Sequence, residues 1–123
     1  MDLHIKVPVA PEFLSDILET ALYGGIDYWC ANVKVHKTKI SADTRLVTGI
    51  EVLPDEDAAE YLHVTYQSMV EAIQKLCENR VQVNDQIRQA IYAAVTENDA
   101  GQIDATAADV IVQVAAFDEI VYG

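Results

Sequence analysis

Three kinds of side chain in this sequence have the chemistry to act on something. They are the imidazoles His4, His36 and His63, the thiols Cys30 and Cys77, and twenty carboxylates set against eight Lys and Arg. Imidazole and thiolate bind metals as sets, at spacings such as H-x-x-x-H or C-x-x-C. No such spacing occurs here, so neither a metal site nor a cofactor is expected. Cys30 and Cys77 lie far apart with apolar neighbours and no adjacent base, which reads as two reduced, inert thiols. The stretch TENDAGQIDATA puts Gly101 at the sharp turn of a calcium loop. However, Ala100 and Ala107 stand where oxygen ligands belong, so it reads as a helix–helix turn built on Asn98 and Gly101. There is no phosphate-cradling glycine loop and no nucleophile elbow. Adjacent carboxylates are too common in so acidic a chain for spacing to single out an acid–base pair. The expected protein is not an enzyme.

Charge is the stronger signal. The formal net charge is −12, and Arg88 is the only Lys or Arg after residue 80. Such a field repels nucleic acid and anionic membrane and attracts basic protein surfaces. Two acidic groups stand out as an interaction surface: Asp55, Asp57 and Glu60, and Asp104, Asp109, Asp118 and Glu119. Against them, Lys34, His36, Lys37, Lys39 and Arg45 gather on one stretch. That stretch is suited to holding an anion such as a nucleotide, to pairing with acidic helices in an oligomer, or to guarding a sheet edge.

Some framework must hold these groups. DLHIKVPV alternates as a short first strand, with Pro8 marking an edge or exit. Pro11 suits a first helical turn, and Phe13, Leu14, Ile17, Leu18, Ala21 and Leu22 make one apolar face. Gly24 and Gly25 stop that helix and let the chain reverse. IDYWCANVKVHK then alternates as a half-buried strand anchored by Trp29, and TRLVTGIEVL follows as its partner with a bulge expected at Gly49. YLHVTY reads as one more strand. Three helices follow. The first is capped by Thr65 or Ser68 and carries Met69, Ile73, Leu76 and Cys77. The second is capped by Asn84 and carries Ile87, Ile91, Ala94 and Val95. The third starts at Asp104 or Thr106, with Thr106 and Asp109 imitating a capping box, and carries Val110, Ile111, Val114 and Ala115. Together these predict a single α+β domain over residues 1–123, with a mostly antiparallel sheet of three to four strands and helices packed on one face.

The blocks FLSDILETALYGGIDYWC and ADVIVQVAAFDEIVYG resemble a family of small uncharacterised bacteriophage and prophage proteins. The matching residues are Gly24, Gly25, Tyr28, Trp29, Val112, Gln113, Phe117, Glu119, Tyr122 and Gly123. Where that pattern has a glycine after the phenylalanine, this chain has Asp118, which must then accept a left-handed turn. The resemblance implies a setting, the cytoplasm of a bacterial host, and no mechanism.

The expected function is therefore binding. A small acidic phage-type protein is expected to inhibit or remodel a host protein with a basic surface, in an anti-defence role in which its carboxylates imitate DNA phosphates. No direct contact with nucleic acid and no membrane are expected, since no apolar run approaches the ~20 residues that span a bilayer. Two alternatives differ in class. One is a sequestering protein for a small anionic nucleotide, using the basic stretch and Tyr28, Tyr61 and Tyr66. The other is a homo-oligomer in which Phe117, Ile120 and Tyr122 bury in a neighbour.

Overall fold

The computed structural model describes Met1 and residues 6–123. Leu3 and Ile5 of the expected first strand, and His4, lie outside the described residues, and residues 6–10 have no regular structure. Helix α1, Pro11–Thr20, has proline in its first turn and buries Phe13, Leu14, Ile17 and Leu18. It runs straight into a wider π-helical turn, Ala21–Gly25. The two glycines there serve different needs. Gly24 takes a left-handed φ of 146°, which ends the helical path. Gly25 has an ordinary φ, but a Cβ on it would lie 2.9 Å from the Ala105 carbonyl oxygen, so only glycine lets this corner touch the next layer.

Three strands follow, β1 Asn32–Lys39, β2 Arg45–Leu53 and β3 Leu62–Thr65, in one antiparallel sheet of order β1-β2-β3. Trp29 therefore sits in the turn before β1 and not within a strand. The register of β1 on β2 shifts between His36, opposite Gly49, and Lys37, opposite Val47. Thr48 is the extra residue of that bulge, and it explains why the buried side chains of β2 are Val47, Ile50 and Val52. One inserted residue reverses the two-residue alternation, so Val47 points inward where plain alternation would place Leu46. β1 stays exposed along almost its whole length, because the helices lie against β2 and β3.

Thr65 ends β3 and caps α2, Tyr66–Cys77, in a reciprocal box with Ser68, so both candidate caps take part. Asn84 caps α3, Asp85–Glu97, which ends on Asn98 in the left-handed region. After a 3-10 turn, Asp104 accepts from the Ala107 N–H and opens α4, Ala105–Phe117. Helix α4 is the centre of the molecule, touching α1, α2, α3, β3 and the π-helical turn. Residues 107–114 are buried without interruption. Asp118 does take the left-handed turn that follows, at φ 61°. The architecture is the α+β one expected, with helices on one face of a three-stranded sheet.

Candidate functional site

Helix α4 is apolar on nearly every side, so its two buried polar residues, Asp109 and Gln113, must find partners inside. They are one turn apart and share a face. Both Asp109 oxygens are used: Oδ1 accepts from Trp29 Nε1 at 2.7 Å and from Gln113 Nε2 at 3.0 Å, and Oδ2 accepts from the Tyr28 hydroxyl at 2.7 Å. Gln113 then holds the last residues of the chain. Its Oε1 accepts from the Val121 and Tyr122 N–H groups at 2.9 and 2.8 Å, and its Nε2 donates to the Tyr122 carbonyl at 3.0 Å. The Tyr122 ring stacks on Trp29 with centroids 5.3 Å apart and planes 3° from parallel, and Phe117 closes the third side at 5.6 Å from the indole. Burial, followed by the hydrogen bond to Asp109 and its charge, pushes the Tyr28 hydroxyl up to about 12.

This cluster corrects the expected acidic surface. Asp109 is 6% exposed and belongs to the core, because α4 is the central helix and not a surface one. Asp104 and Asp118 are exposed as expected, the first accepting at the N-cap of α4 and the second in a 2.7 Å ion pair with Lys75. Glu119 is exposed. The cluster also turns Phe117 and Tyr122 onto their own chain's tryptophan. Sequence reasoning missed Gln113 as a partner of Asp109. The signal was there, since two polar residues four apart in an otherwise apolar helix are inside and face each other.

The other acidic group fares differently. Asp55, Glu56, Asp57 and Glu60 are exposed, on the loop between β2 and β3. That loop is ordered by its own first residue: the Asp55 carboxylate accepts from the Asp57 N–H at 3.1 Å, and its carbonyl accepts from the Ala58 N–H at 3.0 Å. Among the described residues no cation lies within 4 Å of these carboxylates. Further exposed carboxylates, Asp16 and Glu19, flank Tyr23, which is 90% exposed at the π-helical turn.

Lys37, Lys39 and Arg45 sit toward the opposite end of the same sheet, whereas Lys34 and His36 lie opposite Glu51 and Gly49, nearer the acidic loop. β2 starts at Arg45 and ends at Leu53, so its nine residues hold the two charged ends about 30 Å apart. The five residues do not converge on one point, because alternation sends Lys34 and His36 to the outer face and Lys37 and Lys39 to the other. On the outer face the Lys34 ammonium lies 4.2 Å from the centre of the Tyr61 ring. His36 Nε2 is 2.8 Å from Glu51 Oε2, and His63 Nδ1 is 3.5 Å from the other oxygen. The His36 bond holds the Glu51 carboxyl below its usual range, with His63 and Lys34 adding to it. Tyr28, Tyr61 and Tyr66 have separate partners: Tyr66 donates to the Val47 carbonyl at 2.6 Å, and the Tyr61 hydroxyl accepts from Asn32 at 2.7 Å. No shared stacking platform links those three hydrogen-bonding positions.

Cys30 and Cys77 are unbridged, and burial pushes both thiols up, which disfavours the nucleophilic thiolate. Among the described residues no three His, Cys, Asp or Glu side chains gather as a metal site, and no helix is long and apolar enough to cross a membrane. The chain matches no family model, no curated protein and no solved structure. What it does must be read from its two charged ends and its locked core.

Proposed function

We propose that this is a binding protein whose acidic β2–β3 loop docks on a basic surface of another protein, inhibiting or remodelling it. One observation carries the reading: Asp55, Glu56, Asp57 and Glu60 are exposed on a self-ordered loop with no cation within 4 Å among the described residues. Carboxylates left unpaired and held in a fixed turn present a negative patch at little ordering cost to a partner. The similarity of the two terminal blocks to phage and prophage proteins supports a bacterial host cytoplasm as the setting. A basic nucleic-acid-binding groove, of the kind found in a defence nuclease, fits the patch, with the carboxylates standing where phosphates would lie.

The test is affinity capture from a bacterial lysate at low and moderate salt, with native mass spectrometry of the eluate. The expected result is a discrete basic protein that is lost as salt rises through the physiological range, where screening shortens to about 8 Å. The triple variant Asp55→Lys, Asp57→Lys, Glu60→Lys should retain none of it. A partner held equally by that variant, or held regardless of salt, overturns the reading.

A further inference from the structure

We infer that the outer edge of β1 is a receptor for an acidic extended segment of another protein, taken up as a fourth strand of the sheet. The three exposed edges of this sheet are treated differently. The half of β2 that extends past β3 is closed by side chains, since the Val47 N–H donates to Ser15 Oγ at 2.9 Å and its carbonyl accepts from the Tyr66 hydroxyl. β3 is only four residues long and passes directly into α2. β1 runs for eight residues, about 26 Å, and has no third strand and no helix beside it among the described residues.

The direction of its backbone groups follows from the pairing. Val47 turns its N–H and carbonyl away from β1, so its opposite residue, Lys37, also points its own away from β2. The Ile40 N–H, bonded to the Thr44 carbonyl, and the His36 carbonyl, accepting from Thr48 Oγ1, fix the same parity from both sides. Val33, Val35, Lys37 and Lys39 therefore hold their backbone donors and acceptors outward at strand spacing. This is what an added strand pairs with.

Charge selects the occupant. Lys39 lies directly opposite Arg45, and like charges facing each other across a strand pair are destabilising. Among the described residues no carboxylate lies within 4 Å of Lys37, Lys39 or Arg45 to relieve it. An acidic strand supplies that relief on one face, meets Lys34 on the other, and covers Val35, which is 40% exposed. A second copy of this edge would place lysine beside lysine, the arrangement that keeps edges apart. Nucleic acid satisfies the cations but not the alternating N–H and C=O groups.

The test uses a labelled peptide of alternating Val and Glu as the probe, read by fluorescence anisotropy and by amide exchange of the full chain. The peptide should bind, and binding should protect the amides of Val35, Lys37 and Lys39. Val35→Pro deletes one outward N–H and leaves every charge in place, a change that an edge strand tolerates. It should weaken binding about tenfold, and Lys37→Glu with Lys39→Glu should weaken it further. Circular dichroism confirms that each variant is folded. No binding up to about 1 mM overturns the inference. So does equal binding by Val35→Pro, which would show attraction of anions without strand pairing. Equal affinity for an oligonucleotide of the same charge, or β1 protection through self-association without peptide, overturns it too. The acidic-loop triple variant should bind the peptide as the parent does, which separates this edge from the docking surface proposed above.

Discussion

Asp109→Ala should be among the most damaging single changes in this chain, and its cost can be worked from three hydrogen bonds. The Gln113 Nε2 group loses Asp109 but keeps the Tyr122 carbonyl, and Tyr28 is open enough to turn to water. Among the described residues Trp29 Nε1 has no other partner, and it is buried; an orphaned donor of that kind costs about 1–3 kcal/mol. The lost bonds to a charged acceptor add about 1.5–3 kcal/mol each, against which the removed carboxylate no longer has to be desolvated. A net loss of about 2–4 kcal/mol is expected, which for a domain of this size lowers Tm by about 8–15 °C. Urea denaturation followed by far-UV circular dichroism and by the emission of Trp29, the chain's only tryptophan, reads both stability and the local environment. Trp29→Phe supplies the control, because it keeps a ring and deletes the N–H. In that background Asp109→Ala should cost about 1–2 kcal/mol less. A loss under about 0.5 kcal/mol, or a cycle with no coupling, would show that the indole–carboxylate bond contributes nothing and refute the reasoning.

Trp29→Ala should cost ~3–5 kcal/mol and free the Val121 and Tyr122 amides to exchange; a fully folded variant that lost its partner would make the corner a binding site instead. Gly25→Ala drives a Cβ to 2.9 Å from the Ala105 carbonyl and should cost about 1–3 kcal/mol in chemical denaturation, whereas an unchanged midpoint would mean the corner can open freely. The Tyr28 hydroxyl titrates at about 12 in the folded protein against an ordinary value of 10.0, so its contribution is complete below pH 10 and is lost as pH rises from 10 through 12. Tyr28→Phe should therefore flatten the alkaline limb of the stability curve, and an identical limb in both proteins would count against the Asp109 contact.

Much of the framework was legible because its signals are local. The Pro11 start, the Thr65 and Asn84 caps and the alternation of Ile50 and Val52 in β2 each need only a few neighbouring residues. The misreadings came from tertiary context. Trp29 sits in a strand-like alternation, but the π-helical turn delays β1 until Asn32. The bulge expected at Gly49 is there, with Thr48 as its extra residue, but the face reversal it causes cannot be seen without the register. Matching Thr106 and Asp109 to a capping box sets Asp109 in a polar first turn and so on the surface. The unbroken apolar run around it was the better guide, since a helix with no polar side has no surface to offer. Of the candidate sites, the β2–β3 loop stayed exposed as its composition implied. The basic stretch was split by strand alternation into two faces.

The bonds from Trp29 and Tyr28 to Asp109 span 80 and 81 residues, and this bears on how the chain reaches its native state. The cradle for the indole is made by α4 and the residues after it, which are synthesised some 80 residues after the ring they cover. Until α4 emerges, the β1–β2 hairpin and α1 have no central helix to pack against, and Trp29 remains uncovered. Folding is therefore expected to wait for α4, with closure of this long loop a late step. An early intermediate with an exposed indole and a bare β1 edge would be the species most open to a chaperone or to premature association.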